Sequence, residues 1–568
     1  MSADPLPVVL CWHMHQPDYR DPLSGECLAS WTCLHAIRSY TDMAAHLEAA
    51  PEDVRVVVNF SPILLEQIAD YAARLRTFLE AGTPIGDPLL DALVAERLPD
   101  DPPSRRALLE RCLHANHTRM IAALPAFERL ATIARLALET EPGAGYLSDT
   151  CLADLLAWYH LAWLGETVRR SDPTVAALMA REAGYSLAER RELLAVIGNL
   201  LGNLIARYRL LAERGTIELS TSPYSHPMLP LLLDLQSARD AQPGLHLPQS
   251  QCYPGGEERA RWQLVRARQV FQQYFGFEPG GCWPSEGGVS ERTLALIGDA
   301  GFHWTASGQG VLRHSLGEPE PASDSLHRPR QLRGTGPLCF FRDDGLSDLI
   351  GFSYHHWHSA DAVGDFVHHL RSIAGHLEAN DTKSRPGRVV TVILDGENPW
   401  EYYADNGFHF IRHLYDALAA CRELRMVRFS DCVAELHGQV EPLQRLVAGS
   451  WVYGNFATWI GDPDENRAWD LLCHAKAAVD AVLPGIDDPD RVAAIEQQLA
   501  RCEGSDWFWW LGDYNPAEAV TEFEALYRRH LLAVYQLLGL TPPHNLMNAI
   551  SHGAGHPELG GAMRRGTD

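Results

Sequence analysis

Lysine is nearly missing: of 48 basic residues only Lys383 and Lys476 are not arginine, and no long basic run occurs. With 73 acidic residues the formal charge is −25, so the chain repels polyanions, and neither nucleic acid nor an anionic membrane surface is expected as a partner. No stretch of 18 apolar residues appears, which excludes an ordinary membrane-spanning helix. The opening MSADPLPVVLCWHMHQP has neither a basic n-region nor a long apolar core, so no secretory signal is expected. The twelve cysteines are scattered without a CxxC pair; in a long chain this reads as reduced, buried thiols and a cytoplasmic setting.

What is present suffices for a large folded protein. At 568 residues and 46% hydrophobic composition, two or three structural units are expected. PVVLCWH (7–13) and VRVVVNF (54–60) are short apolar runs of the kind buried parallel strands show. From about 63 to 214 apolar residues recur at spacings of three and four, predicting a large helical insertion. Strand and helix then alternate: TIELSTS, GGCWPSE, FHWTAS, LCFF, TVILD and finally ELRMVRFSD supply the strands. Regular β-then-α order implies a parallel sheet covered on both faces, at this strand count a barrel or near-barrel. Residues 1–435 are thus expected to form the catalytic barrel with its insertion. Strands are expected to stop beyond about 435, leaving a helical C-terminal unit to 540 and a loose Gly-rich tail over 541–568.

Five stretches carry candidate chemistry. In CWHMHQP, strand alternation puts Trp12 and Met14 on one face and Cys11, His13 and His15 on the other. Two histidines at a strand end suit a sugar-binding pair, a metal pair or a structural role. In GTIELSTSPYSHPMLP, Glu218 and Ser220 share a strand face, and Tyr224 and His226 follow in the loop. GGCWPSEGG sets Glu286 between Pro284 and two glycines, a poor place for a packing residue, beside Trp283 as an apolar platform. In TVILDGENPWEYY, an apolar strand runs into Asp395, Glu397 and Glu401 among Trp400, Tyr402 and Tyr403. Aromatic surroundings raise a carboxyl pKa by desolvation, as a general acid requires. On alternation alone, Asp395 and Glu397 fall on the same side. In EGSDWFWWLGD, four aromatics within five positions stand between Asp506 and Asp513.

Taken together and in order, HQP (15–17), GTIE (215–218), WPSE (283–286), LDGENPWEYY (394–403) and EGSDWFWW (503–510) resemble the five sequence regions of glycoside hydrolase family 57. SPYSHPMLPLL and WVYGNFATWIGDPDENRAWD, which contains Trp459, agree as well. The likeness spans roughly residues 8 to 540 and is strongest to the amylopullulanase and α-amylase branch. It implies an incomplete seven-stranded parallel (β/α)7 barrel followed by a helical domain, acting on α-linked glucans with retention and without a metal or other cofactor. It implies Glu286 as nucleophile and Asp395 as general acid/base. His13, His15 and Glu218 would lie near the bound sugar, with Asp506 and Trp507 in the fifth region. Trp12, Trp283, Trp400 and Trp459 are candidate stacking platforms, and Glu397 is a further candidate sugar contact. A glucanotransferase or branching enzyme would use the same chemistry. A metal-dependent, polysaccharide deacetylase-like hydrolase built on His13, His15 and an acidic residue is the alternative of a different class.

Overall fold

The computed structural model describes residues 4–318, 323–379, 387–436, 440–512, 514–551 and 553. Seven parallel strands form its centre: β1 (Leu6–Met14), β2 (Val56–Phe60), β3 (Ile217–Thr221), β4 (Gly281–Cys282), β5 (Trp304–Gly308), β6 (Leu338–Arg342) and β7 (Val390–Asp395). Their spatial order is β6-β5-β4-β3-β2-β1-β7. Among the described residues no ladder joins β6 to β7. That seam is bridged instead by the Asp343 N–H donating to the Thr391 carbonyl at 2.8 Å and the Arg342 Nε–H donating to the Ile393 carbonyl at 2.7 Å. The expected incomplete barrel is therefore the fold, with an arginine side chain closing part of the gap.

Strand alternation sorts the side chains into two cores. Val9, Cys11, Val57, Phe340 and Ile393 fill the interior with Trp283 and Trp304. Leu10, Trp12, Val58, Val392 and Leu394 pack outward against the helices. Register places His13 opposite both Asn59 and Asp395, and Asn59 opposite Ser220, at the carboxyl ends of their strands. One polar layer thus sits on top of an apolar plug.

Helices occupy the long connection between β2 and β3, opening with Pro62–Ala81 and closing with Leu187–Glu213. The first has Pro62 at its start, where no amide donor is needed, and Gly82 in left-handed conformation at its end. The last carries a reciprocal capping box between Ser186 and Glu189. ELRMVRFSD yields only a three-residue strand, Leu424–Met426, paired with the start of β1, before helix Phe429–Leu436 takes over. Strands do not stop at 435: Glu441–Leu443 pairs with Arg330–Leu332 at the sheet edge.

The C-terminal unit is built from helices Pro463–Val482, Pro489–Cys502, Ser505–Leu511 and Ala517–Leu538. Of the expected loose tail, 552 and 554–568 lie outside the described residues, whereas Leu546 and Ile550 are buried against this unit. A buried ion pair, Arg259 to Glu503 at 2.7 Å, ties the unit to the barrel, and Tyr253 and Gln263 also donate to Glu503. All twelve cysteines are unpaired. No described helix is long and apolar enough to cross a membrane.

Candidate active site

Above the polar layer lies a cavity of about 450 Å³. His13, His15, His226, Glu286, Asp395, Glu397 and Asp506 all line it, with Trp451, Trp509, Trp510, Tyr402 and Phe523 as aromatic walls. Residues 286 and 395 leave different strands, yet open into one space.

Glu286 sits on the turn after β4 at φ 58°, a left-handed conformation that non-glycine residues rarely hold. The turn is fixed from both sides. The Trp451 N–H donates to the Glu286 carbonyl at 3.0 Å. A Cβ on Gly287 would lie 3.0 Å from the Trp283 ring and 3.2 Å from the Trp451 Cβ, so only glycine fits without displacement. The carboxyl contacts Ser505 Oγ at 2.9 Å through Oε1 and accepts from Trp451 Nε1 at 3.2 Å through Oε2. Its pKa is pushed up to about 8, first by desolvation, then by the charge of Asp506, with Asp395 adding to it and the hydrogen bonds from Ser505 and Trp451 acting against the rise. Asp395, at the end of β7, accepts from Asn398 Nδ2 at 2.9 Å. Desolvation lifts it to about 6, restrained by Asn398, His15 and Arg342. Arg342 donates to Asp344 and Asp348 and lies 5.5 Å from the centre of the Trp451 ring.

The two motif histidines are anchored differently. His13 Nδ1 meets Asn59 Oδ1 at 2.7 Å and His13 Nε2 meets His226 Nε2 at 3.1 Å. Burial lowers the His13 pKa to about 3, so it is neutral. His15 bridges Ser61 Oγ at 2.7 Å and the Asp506 carboxylate at 2.9 Å. The HQP backbone is held by Gln67, whose Nε2 donates to the Gln16 and Pro17 carbonyls. Glu397 is buried, accepts from Gln16 Nε2 at 3.2 Å, and is driven well above the usual carboxyl range by desolvation and by Asp395.

Several sequence expectations are corrected. Trp12 and Trp400 are fully buried on the outer face, edge to face at 5.7 Å, with Trp12 donating to Tyr415 and Trp400 to the Gly396 carbonyl. Neither reaches the cavity, because a strand that turns His13 inward must turn its neighbour Trp12 outward. Trp283 is buried beneath the turn it supports. Trp459 and Trp507 lie in the core of the helical unit, Trp507 donating to the Arg501 carbonyl and stacked on Tyr527. Glu218 faces inward but two residues below Ser220, where it accepts from Trp304 Nε1 at 2.7 Å and the Ser430 N–H at 2.9 Å, away from the cavity. Asp513 lies outside the described residues.

Among the described residues, His15, His226 and Asp506 are the group whose ligand atoms come within 4.8 Å of one another. Their geometry does not suit a metal. The His15 and His226 rings are stacked, centroids 3.8 Å apart and planes 19° from parallel. An imidazole binds a cation through a lone pair in its own ring plane, and one ion cannot lie in two stacked planes.

A sequence profile of Glycosyl hydrolase family 57 matches residues 9–444. The chain belongs to glycosyl hydrolase family 57. No curated protein matches the sequence significantly. Among solved structures, similar folds include a family 57 branching enzyme from Pyrococcus horikoshii (16% identity, TM-score 0.58, 99% of each chain covered). They also include an α-amylase from Thermotoga maritima (13% identity, TM-score 0.55, 94% and 93% covered). A 4-α-glucanotransferase from Thermococcus litoralis aligns over 95% of this chain and 61% of its own (13% identity, TM-score 0.51). At these identities the likeness is one of fold.

For this family 57 chain, sequence reading did not single out Ser505 and Trp451, the two side chains on the Glu286 carboxyl. It placed His226 in a loop without a role. The signals were present: His226 stands between Ser225 and Pro227, and Ser505 lies inside the fifth region.

Proposed function

We propose that the protein is a retaining glycoside hydrolase acting on α-linked glucans, with Glu286 as nucleophile and Asp395 as general acid/base. The observation that carries this reading is that two carboxyls from separate strands line one cavity, where the charge of Asp395 adds to the raised pKa of Glu286. A retaining enzyme holds its pair at about 5 Å. In the first step a Glu286 oxygen attacks the anomeric carbon, the glycosidic C–O bond breaks, and Asp395 gives its proton to the departing oxygen. In the second, Asp395 takes a proton from water, whose oxygen displaces Glu286 from the same face as the departed group. Both steps invert, so the α configuration is retained.

The reactive pair carries one proton. With apparent values near 6 and 8, that form dominates between them. Catalysis needs that proton on Asp395. Positive charge growing at the anomeric carbon favours ionised Glu286, and a glycosidic oxygen against Asp395 favours the proton there.

The aromatic walls supply stacking faces for sugar rings and exclude water. For this reason transfer to a second glucan, as in a glucanotransferase or branching enzyme, is the second reading. Incubation with maltoheptaose separates the two: longer products mean transfer, and gain of reducing ends alone means hydrolysis. A screen over pullulan, amylose and glycogen assigns α-1,4 or α-1,6 preference. The nucleophile is tested by azide rescue of Glu286→Ala. A β-glycosyl azide from an α-linked substrate is expected, and its absence together with full activity in a folded Glu286→Gln protein refutes the assignment.

A further inference from the structure

Part of the cavity wall is formed by side chains that the proposed reaction leaves idle. Trp31, His35 and Glu401 line it there. The first two come from the short helix Trp31–His35, and Glu401 comes from the turn Asn398–Glu401 that follows β7. His35 Nε2 stands 3.9 Å from Glu401 Oε1, too far for a hydrogen bond. His35 is buried, with 5% of its surface exposed, and its Nδ1 has no hydrogen-bond partner. Glu401 keeps 24% of its side chain exposed, so its carboxylate is open to a ligand in the cavity.

Behind this wall lies a buried cation. From His35 the chain passes through a wide π turn, Ala36–Tyr40, before an ordinary helix resumes at Thr41; such turns are rare and occur mostly at functional positions. Arg38 sits in that turn with 2% of its surface exposed. Its guanidinium carbon lies 5.2 Å from the centre of the Trp163 ring, which packs edge-on against both Trp31 and His35. Other buried arginines are paired: Arg259 with Glu503, Arg342 with Asp344 and Arg105 with Asp149, each within 2.8 Å. Arg38 differs, because its Nε and Nη1 find no hydrogen-bond partner among the described residues, and neither does Trp163 Nε1. A buried charge without a partner destabilises a fold, so function rather than folding accounts for it. The charge that acts on it most favourably is Glu401. Burial lowers the Arg38 pKa to about 10, opposed chiefly by Glu401; burial raises the Glu401 pKa, opposed by Arg38.

We propose that Glu401 and His35 form a sugar-binding subsite beside the reacting pair, taking hydroxyl groups of a glucose unit, with the buried Arg38 supplying the charge that supports Glu401 from behind. The inference rests on the glucan reading of the cavity. His35 is neutral, its pKa lowered to about 3 by burial and then by Arg38, so its ring offers one donor and one acceptor. A hydroxyl also does both. One oxygen that accepts from His35 Nε2 and donates to Glu401 spans the 3.9 Å gap with two bonds of ordinary length. Trp31 adds a ring face at the same place. The ligand is neutral, since Glu286, Asp395, Glu397, Asp506 and Glu522 line the same cavity and repel an anion. An ionised Glu401 makes a charge-assisted bond to a hydroxyl, stronger than a neutral one, and Arg38 favours that ionised form. Glu401 is electrically separate from the reacting pair: burial and Arg38 account for its shift, whereas Glu286 responds to Asp506 and Asp395.

The test is calorimetric titration of maltoheptaose into the Glu286→Gln protein, in which slow turnover leaves binding to be read alone. Adding Glu401→Gln, which keeps the shape and removes the charge, is expected to weaken binding about tenfold, the difference between a charge-assisted and a neutral hydrogen bond. Arg38→Met, similar in length and uncharged, is expected to weaken it to a like degree, and Arg38→Lys to recover most of the loss. Joined to Glu401→Gln, Arg38→Met is expected to add little, because it acts through the same carboxylate. The urea midpoint of Arg38→Met is expected to hold or rise, since an unpaired buried charge is removed; an arginine retained for folding would show a fall. In the otherwise wild-type enzyme, Glu401→Gln is expected to raise KM for maltoheptaose while the limbs of the kcat pH profile stay in place. Unchanged affinity in Glu401→Gln overturns the subsite. Additive losses in the double variant, or an Arg38→Met protein that is less stable or does not fold, overturn the role given to Arg38, and Glu401→Gln then decides the subsite alone. Failure of the Glu286→Gln parent itself to bind maltoheptaose refutes the glucan reading instead.

Discussion

The barrel and the helical C-terminal unit each supply part of one cavity, and their parts differ in kind. The barrel provides the carboxyls Glu286 and Asp395 and the histidines His13 and His15, with His13 and Asp395 in register at their strand ends. The C-terminal segment provides Trp451, Ser505 and Asp506, which donate to, hold or charge those groups. Tryptophan serves both roles in each part: Trp31 of the barrel lines the cavity, and Trp459 and Trp507 pack inside the helical unit. Trp12 and Trp400 on the barrel's outer face are packing residues, whereas Trp451, Trp509 and Trp510 line the cavity. The sheet fixes where these carboxyls sit, burial is the largest cause of their raised pKa values, and Asp506 of the C-terminal segment adds to it.

Four measurements bear on that division, the largest first. Glu286→Gln and Asp395→Asn in the barrel should each lower kcat/KM by about a thousandfold or more while leaving the circular dichroism unchanged. Retained activity in both would move the chemistry out of the barrel. Glu503→Ala leaves Arg259 buried without a partner and should cost about 3–5 kcal/mol in denaturant unfolding, with turnover lost as Ser505 and Asp506 loosen. Unchanged stability would mean that the two units are not joined by this pair. Trp451→Phe keeps the ring under Arg342 but removes the N–H on Glu286. A drop in kcat of about tenfold to a hundredfold is expected, with KM nearly unchanged. Trp12→Phe should leave KM and kcat alone and cost only about 1–2 kcal/mol of stability, whereas Trp510→Ala should raise KM for long glucans. Equal KM effects at both positions would erase the distinction between the faces.

The pH profile sharpens the same comparison. Below about pH 6 both carboxyls of the pair are protonated and no nucleophile is available. Above about pH 8 both are ionised and no proton donor remains. A bell-shaped kcat/KM with limbs near those values is the expected outcome.

Much of this was legible in the sequence where a signal is local. The apolar run ending at Asp395 marked a buried strand and the end that opens into the cavity, and Pro284 with two glycines marked the turn that carries Glu286. Alternation even contained the correction for Trp12: if His13 looks into the barrel, its neighbour cannot. Aromatic content at a motif was read as a sugar platform, although the outer core of a parallel barrel needs large side chains just as much. Glu218 was put near the sugar by the family resemblance; alternation gave its face of the strand but not its depth along it, and at that depth it binds Trp304 and Ser430. Trp451 and Ser505 reach Glu286 across 165 and 219 residues, and His226 reaches Ser505 across 279. No periodicity or local motif records contacts of that span.

The family profile ends at residue 444, seven residues before Trp451 and well short of Ser505. Homologues that align only through the barrel would thus share Glu286 and Asp395 without Trp451, Ser505 and Asp506 beside them. Divergence in the last hundred-odd residues becomes a route to altered reaction outcome with an untouched carboxylate pair. Swapping that segment between relatives, rather than editing strand ends, is the economical way to retune such an enzyme.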